Sequence, residues 1–234
     1  MLETEDRPSD SPYVARVWHS RNAGAEHMMS VATSIWELVV WKHRGLPHAA
    51  VRGPETTASM ADVPDDLEAF GISFSAGTSM PHLPVSQLVD RQLDCPHVTA
   101  KAFVLRGEEW ELPNFENAED FVARLAREGV IVHDPLVEEV VEGGTATVSM
   151  RSVQRRVVTA TGLTHSAIRQ IERARQAAIL LGEDMTPTDV AHRLGYYDQP
   201  HLARSLTRFI GRTATQLRRG DAAEPLSLLY KTDA

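Results

Sequence analysis

The side chains best suited to specific chemistry in this sequence are two polar, basic sets near its C-terminal end. The first is Arg151, Gln154 and Arg155, with Arg156 beside them; the second is Gln199, His201, Arg204, Ser205 and Arg208. An arginine guanidinium presents paired donors that match O6 and N7 of guanine, and a glutamine amide matches N6 and N7 of adenine. Serine hydroxyls and further arginines suit phosphate oxygens. Both sets are therefore equipped to read a nucleic-acid duplex. They would also serve as solvated faces of ordinary helices, and spacing alone does not decide between the two.

Other chemistries find weaker support. The ten histidines include His43 and His48 across a Gly-Leu-Pro turn, and His97 two residues from Cys95, but no HExxH pattern or close His/Cys cluster occurs. Structural or surface histidines are the expected reading, with no metal and no cofactor. Cys95, the single cysteine, excludes an intramolecular disulfide framework and reads as a small buried residue. GISFSAG lacks the GxSxG spacing of a nucleophile elbow. Asp65 and Asp66, and Glu108 and Glu109, are sequence neighbours, so on a strand they would point to opposite faces rather than form a catalytic pair. No catalytic residues are expected. Trp18, Trp36, Trp41 and Phe74 are candidates for the apolar lining of an effector pocket.

These side chains need elements to carry them. Residues 1–12, MLETEDRPSDSP, read as a disordered leader, polar and unlike a secretory signal. Residues 13–133 read as a small α+β domain, a β-rich barrel or sandwich with helices. Its expected strands are 14–19, 26–31, 35–42, 49–52, 69–75 and 98–106, with helices over 85–92 and 116–128. From Asp134 the apolar period becomes helical, and 134–219 reads as an all-α domain followed by a tail over 220–234. Asp134, Ser149, Thr164, Thr186 and Asp198 are placed as N-caps, while Gly162, Gly182 and Gly211 stop helices. A long helix from Thr164 to Leu181 carries the stripe Ile168, Ile171, Ala174, Ala178 and Leu181.

Composition divides at the same place. The chain of 234 residues has a net charge of -8, which by itself disfavours a phosphate-bearing nucleic-acid partner. Residues 1–148 carry 11 Lys/Arg against 24 Asp/Glu, whereas 149–219 carry 12 basic residues, all arginine, against 5 acidic ones. All four tryptophans lie in the first half. Such asymmetry suggests domains with different partners, and the acidic half is expected to limit non-specific DNA contact. No apolar run approaches the roughly 20 residues of a membrane span, so the expected location is the cytoplasm.

Residues 187–210 form the most informative segment. A helix of about two turns, a tight turn opening with Gly195, and a second helix with a basic face make the helix-turn-helix layout, whose second helix enters the major groove. Arg151, Gln154 and Arg155 lie on an upstream helix, and the intervening 18 or so residues span roughly 27 Å. That rod suits two reading helices placed near the 34 Å or so between successive major grooves on one DNA face.

The stretches SMRSVQRRVVTATGLTHSAIRQIERARQAAILL and TPTDVAHRLGYYDQPHLARSLTRFIGRTATQLRR resemble the DNA-binding domain of the AraC/XylS family of transcriptional regulators. The resemblance rests on Gly162 with Thr164, Arg173, Ala177, Leu180 and Leu181, then Asp189, Leu194 to Tyr196, Asp198 and Gln199, and Arg204 to Gly211 with Thr213. It implies two helix-turn-helix units joined by a linker helix, with base contacts at Arg151, Gln154 and Arg155, and at Gln199, Pro200, His201 and Arg204. Two features depart from the family: the link from Gly143 to Val148 is long where a tight turn is usual, and Pro200 stands where a polar reader is common. VWHSRNAG, VVWKHRG, VRGPET, FGISFSAG and ENAEDFVARLAREG resemble the N-terminal domain of an AraC-like subgroup, which implies effector binding or dimerisation. The expected partners are double-stranded DNA, a small-molecule effector, RNA polymerase and a second copy of the chain. Two rival readings are a constitutive DNA-binding factor whose N-terminal domain serves only protein contacts, and an enzyme fused to a DNA-binding domain, such as a repair alkyltransferase. The single cysteine argues against the last.

Overall fold

The structure, a computed structural model, describes residues 2–145, 148–220 and 224–227. Twelve strands occupy the first part of these residues: β1 (Leu2–Pro8), β2 (Val14–Asn22), β3 (His27–Ser30), β4 (Glu37–His43), β5 (Leu46–Arg52), β6 (Ser59–Asp62), β7 (Glu68–Phe74), β8 (Thr78–Ser79), β9 (Gln92–Asp94), β10 (Ala102–Leu105), β11 (Glu108–Glu111) and β12 (Val132–His133). The helices are α1 (Ala118–Arg127), α2 (Pro135–Val141), α3 (Met150–Thr161), α4 (His165–Gly182), α5 (Pro187–Arg193), α6 (Gln199–Phe209) and α7 (Ala214–Arg219).

Six strands form one antiparallel sheet in the order β1-β2-β7-β4-β5-β9. Three two-stranded pairs, β10-β11, β12-β8 and β3-β6, lie outside it, and the described residues form no closed barrel. Strand β7 divides the work of the two sheet faces by alternation. Phe70, Ile72 and Phe74 point toward a core with Leu38, Val51, Phe103, Phe121 and Leu125, while Ala69, Gly71 and Ser73 point the other way. A second core gathers Val137, Val157, Ile168, Ile171, Leu181, Leu202, Leu206 and Ile210 from the helices. Val31 and Ala32 belong to this helical core although they precede it by more than a hundred residues.

The sequence-based reading needs correction in four places. Leu2–Pro8 is an edge strand paired along its whole length with β2, so the expected disordered leader is folded. Its own pattern is too acidic and too exposed to signal a strand. What holds it is long-range: Arg7 pairs with Glu119 of α1 at 2.5 and 2.8 Å, donates to the Phe115 carbonyl at 2.7 Å, and sits over the Phe115 ring. The helix expected over 85–92 is only a 3-10 turn at Val85–Gln87, because Asp90 takes a left-handed conformation and the chain then enters β9. The single strand expected over 98–106 is instead a hairpin, β10 with β11 as its return strand, and Glu108 and Glu109 lie in β11. Trp36 and Trp41 fall on opposite faces of the sheet, with consequences for the pocket given below.

The N-caps fall where the sequence placed them, whereas Gly182, expected to stop the long helix, is the last residue of α4, with Glu183 as C-cap and Asp184 taking the left-handed turn. Asp134, Ser149, Thr164, Thr186 and Asp198 each accept a backbone N–H from the first turn of their helix.

The Arg7–Glu119 pair holds the Glu119 carboxyl down at about 2, chiefly through the Arg7 hydrogen bond. A carboxyl depressed in the folded state stabilises above its unfolded pKa of about 4.3, and that contribution is lost as pH falls toward the folded value. Both side chains are about one-third exposed (33% and 31%), so screening limits the pair to about 1 kcal/mol. Glu119→Gln should therefore lower urea-unfolding stability by about 1 kcal/mol near pH 7. The gap to the parent chain should close between about pH 4 and pH 2; a gap independent of pH would contradict the assignment.

Candidate nucleic-acid interface

The second helix pair is compact. Helix α5 opens at Thr186, whose hydroxyl accepts the Asp189 N–H, and Gly195 makes the turn with φ 67°. Asp198 caps α6 through the His201 N–H at 2.7 Å. Leu202, Ser205, Leu206 and Phe209 form the buried face of α6 at spacings of three, one and three. The opposite face presents Gln199, Pro200, Ala203, Arg204, Thr207 and Arg208, all exposed.

Ser205 is therefore not a phosphate contact. It is 9% exposed, and its hydroxyl lies 3.1 Å from the Tyr196 hydroxyl inside the helix pair. The neighbours Leu202, Leu206 and Phe209 already fix this: Ser205 completes their i, i+3, i+4, i+7 stripe. His201 is half-buried with its ring edge-on to Tyr196, which leaves it partly available. Gln199 donates to the Thr188 hydroxyl of α5 at 2.8 Å, a bond it would exchange on meeting a base. Ala203, Thr207 and the 92%-exposed Tyr197 were missed in the sequence reading. Helical period would have found the first two; Tyr197 sits in the turn, where no period applies.

The first helix pair is built differently. Helix α3 buries Val153, Val157, Ala160 and Thr161 and exposes Arg151, Gln154 and Arg155 on one face. Arg156, also exposed, is tied to Asp134 at 3.2 Å. The preceding helix α2 packs against α3, but residues 142–149 separate them, so a tight turn like that of α5-α6 is absent here. Residues 146 and 147 of that link lie outside the described residues.

Not all of the arginine charge faces outward. Arg175 of α4 is 4% exposed and donates to the Ala32 carbonyl at 2.8 Å. Arg212 is 6% exposed and pairs with Glu224 at 3.1 Å. Arg173 lies over the Tyr196 ring at 4.4 Å. The exposed arginines of this region include Arg151, Arg155, Arg193, Arg204, Arg208, Arg218 and Arg219.

Both outward-facing helices end against the N-terminal strands and loops. Gly162 follows α3 with φ 73°, and a Cβ there would sit 2.9 Å from the Ser86 nitrogen. Gly211 follows α6 with φ 71°, and a Cβ would sit 2.5 Å from Sδ of Met29. Each glycine is thus required twice, for a left-handed backbone and for close approach. Further bonds fix the end of α6: Ala32 N–H donates to the Phe209 carbonyl and Ala58 N–H to the Arg208 carbonyl, both at 2.8 Å.

The pocket candidates separate into two pairs. Trp18 and Trp41 line a cavity of about 840 Å³ between the sheet and the β3-β6 pair. Trp36 and Phe74 do not: they are buried and stacked at 3.8 Å in the opposite core, and the Trp36 indole donates to the Thr78 carbonyl at 2.7 Å. Trp36 immediately precedes β4, which carries Trp41, and in extended chain an odd separation of five places the two on opposite faces. Of the remaining chemistry, burial and Asp94 push the Cys95 thiol up to about 11, which keeps it protonated and unreactive at neutral pH. His43 faces Asp66 at 3.7 Å and His48 stacks on Trp41. Among the described residues, no helix is long and apolar enough to cross a membrane.

A family model described as a helix-turn-helix domain matches residues 144–220. No curated protein and no solved structure matches the chain. The matched range covers α3 to α7, and so contains both outward-facing helices.

Arg204→Ala should cost about 1–3 kcal/mol in specific DNA binding and relax preference at one base position, as read by gel shift on a set of point-substituted sites. Ser205→Ala should instead lower unfolding stability by about 1 kcal/mol and leave the affinity of the folded protein unchanged. Reversal of the two phenotypes would overturn the assignment of faces.

Proposed function

We infer that this protein, whose C-terminal third is an AraC/XylS-type helix-turn-helix domain, is a transcription regulator that docks α3 and α6 in adjacent major-groove segments. The carrying observation is the pair of outward faces, Arg151, Gln154 and Arg155 on α3 and Gln199, Arg204 and Arg208 on α6, at either side of the linker helix α4. Helix α4 has 18 residues, a rod of roughly 27 Å. Gln199 opens α6, the end that reaches base edges in this geometry, and Arg204 stands at the middle of the helix on the same exposed side. Arg208, Arg218 and Arg219 suit phosphate contacts that set register.

The cavity supports regulation by a small-molecule effector over a purely constitutive factor. It lies in the tryptophan-bearing half of the chain, and Arg175 of the linker helix is among its lining residues. A ligand there would adjoin the segment that bonds to the end of α6. The acidic N-terminal half also weakens non-specific attraction to DNA, leaving discrimination to the α3 and α6 faces. RNA polymerase and a second copy of the chain stand as further partners of such a regulator.

Selection from a random-sequence DNA library with the full chain should recover a site whose two conserved blocks are about one helical turn apart. The affinity for that site should fall steeply with salt, as expected when several phosphates are neutralised. A single short block would exclude docking by both helices, and a flat salt profile would exclude phosphate contact.

A further inference from the structure

The cavity beneath the β3-β6 pair has an unusual chemical make-up. Its sheet wall carries Trp18, Glu37, Val39, Trp41 and Ala69, and Glu55 enters from the opposite wall. Trp18 lies flat across the middle strand: a Cβ on Gly71 would sit 2.2 Å from Cε2 of its ring. Gly71 is the residue opposite Trp18 in the β2-β7 ladder, so the missing side chain is the seat of the indole. The ring is only half-buried and lines the cavity, so it offers π surface to an occupant.

Two carboxylates flank that surface, and their hydrogen-bond donors are neutral. Glu37 accepts from the Trp18 indole at 3.2 Å and from the Ser73 hydroxyl at 2.5 Å. Glu55 accepts from the Ser30 hydroxyl at 2.7 Å. Burial, Glu37 and Asp90 together raise the Glu55 carboxyl above its usual range, while Ser30 and Arg52 oppose the rise. Arg52 lies on the same cavity wall, over the Trp41 ring at 5.6 Å and bonded to Gln92 at 3.3 Å rather than to either carboxylate. Arg175 is committed to the Ala32 carbonyl. Arg52, Arg91 and Arg175 also line the cavity, yet among the described residues neither Glu37 nor Glu55 forms an ion pair, so an aromatic face stands beside two carboxylates bonded only to neutral donors. An incoming positive charge would relieve the repulsion between them, and a cation held against a tryptophan face gains further.

We propose that this cavity binds an organic cation, an ammonium or related group on an apolar or aromatic body, with Trp18 packing the body and Glu37 and Glu55 pairing with the charge. The wall that carries Glu55 is the wall joined to the DNA-binding helices. Glu55 and Thr33 exchange both backbone hydrogen bonds at 3.0 Å, and the next residue from Thr33 toward the N-terminus, Ala32, bonds to the Phe209 carbonyl and to Arg175. A ligand that draws Glu55 inward thus acts on the segment that holds the C-terminal end of α6. This coupling rests on the effector reading above; the ligand chemistry does not.

The test uses the full chain and four probes of related size: 2-phenylethylammonium, 2-phenylethanol, phenylacetate and glucose. Tryptophan fluorescence and calorimetry at pH 7.5 should show saturable binding of the ammonium at least tenfold tighter than the other three. Glu37→Gln and Glu55→Gln should each weaken it about tenfold while leaving the weak binding of the alcohol unchanged. Binding of the alcohol, the carboxylate or the sugar as tightly as the ammonium would overturn the proposal, as would absence of saturable ammonium binding at millimolar concentration. The comparison among probes on the parent chain decides even if a variant fails to fold. Gel shift on library-selected DNA then separates the two readings. Ammonium binding with unchanged DNA affinity would remove the effector role and keep the cation site. DNA affinity that answers to a neutral or anionic probe and not to the ammonium would do the reverse.

Discussion

Ala32 carries the contact on which the arrangement of this molecule depends. Its N–H donates to the last turn of α6 at Phe209, and its carbonyl accepts from the buried guanidinium of Arg175 in α4. A buried charge without such partners is costly, so Arg175 and the 31–34 segment are mutually required. Ser34 adds a bond to Glu172, one turn before Arg175 on the same helix, at 2.6 Å. Glu172 in turn lies 3.8 Å from the Arg175 Nε. One short stretch thereby belongs to the helical core while emerging from the strand-rich half. The two halves are interlocked through satisfied polar groups as well as apolar burial.

That interlock has a directional consequence. The strand-rich half holds the C-terminal ends of α3 and α6, at Gly162 and Gly211, and leaves the N-terminal ends and outward faces uncovered. The residues proposed to read bases, Arg151, Gln154 and Arg155 on α3 and Gln199 and Arg204 on α6, lie on the uncovered portions. Small shifts at the held ends would reorient the helices without touching their reading faces. Under the effector reading proposed above, a two-state shift of this kind would link the cavity to the reading surface, and the differential affinity of an occupant for the two arrangements would set the size of the response.

Strand β7 makes the cavity and the core from one sequence. EAFGISF alternates small and large side chains, so one face of the sheet is filled by Phe70, Ile72 and Phe74 while the other is left hollow above Ala69 and Gly71. The tryptophans follow the same parity: Trp36 supplies core and Trp41 supplies cavity wall. The net charge of -8 divides in a comparable way. Carboxylates in the first half include the cavity pair, and the arginines of the second half divide between outward faces and the buried anchors Arg175 and Arg212.

By itself the sequence determined whatever rests on neighbours within a few residues. The five side-chain caps, the left-handed glycines after α3 and α6, and the stripe of α4 are local hydrogen-bonding and periodicity effects, and all are found where the pattern put them. The exclusion of Ser205 from the reading face and of Trp36 from the cavity was also legible, since period 3.6 and period 2 respectively assign them inward. The tertiary structure alone decided the rest. That an acidic N-terminal stretch forms an edge strand depends on Arg7 meeting Glu119 across more than a hundred residues. That Arg175 is an anchor rather than a DNA contact depends on Ala32. That Trp18 lies beside Glu37 depends on the register of three strands and on the absence of a side chain at Gly71. Each of these is a contact between segments far apart in the chain, whose energies come from burial and desolvation at the meeting point, and no local pattern encodes where such segments meet.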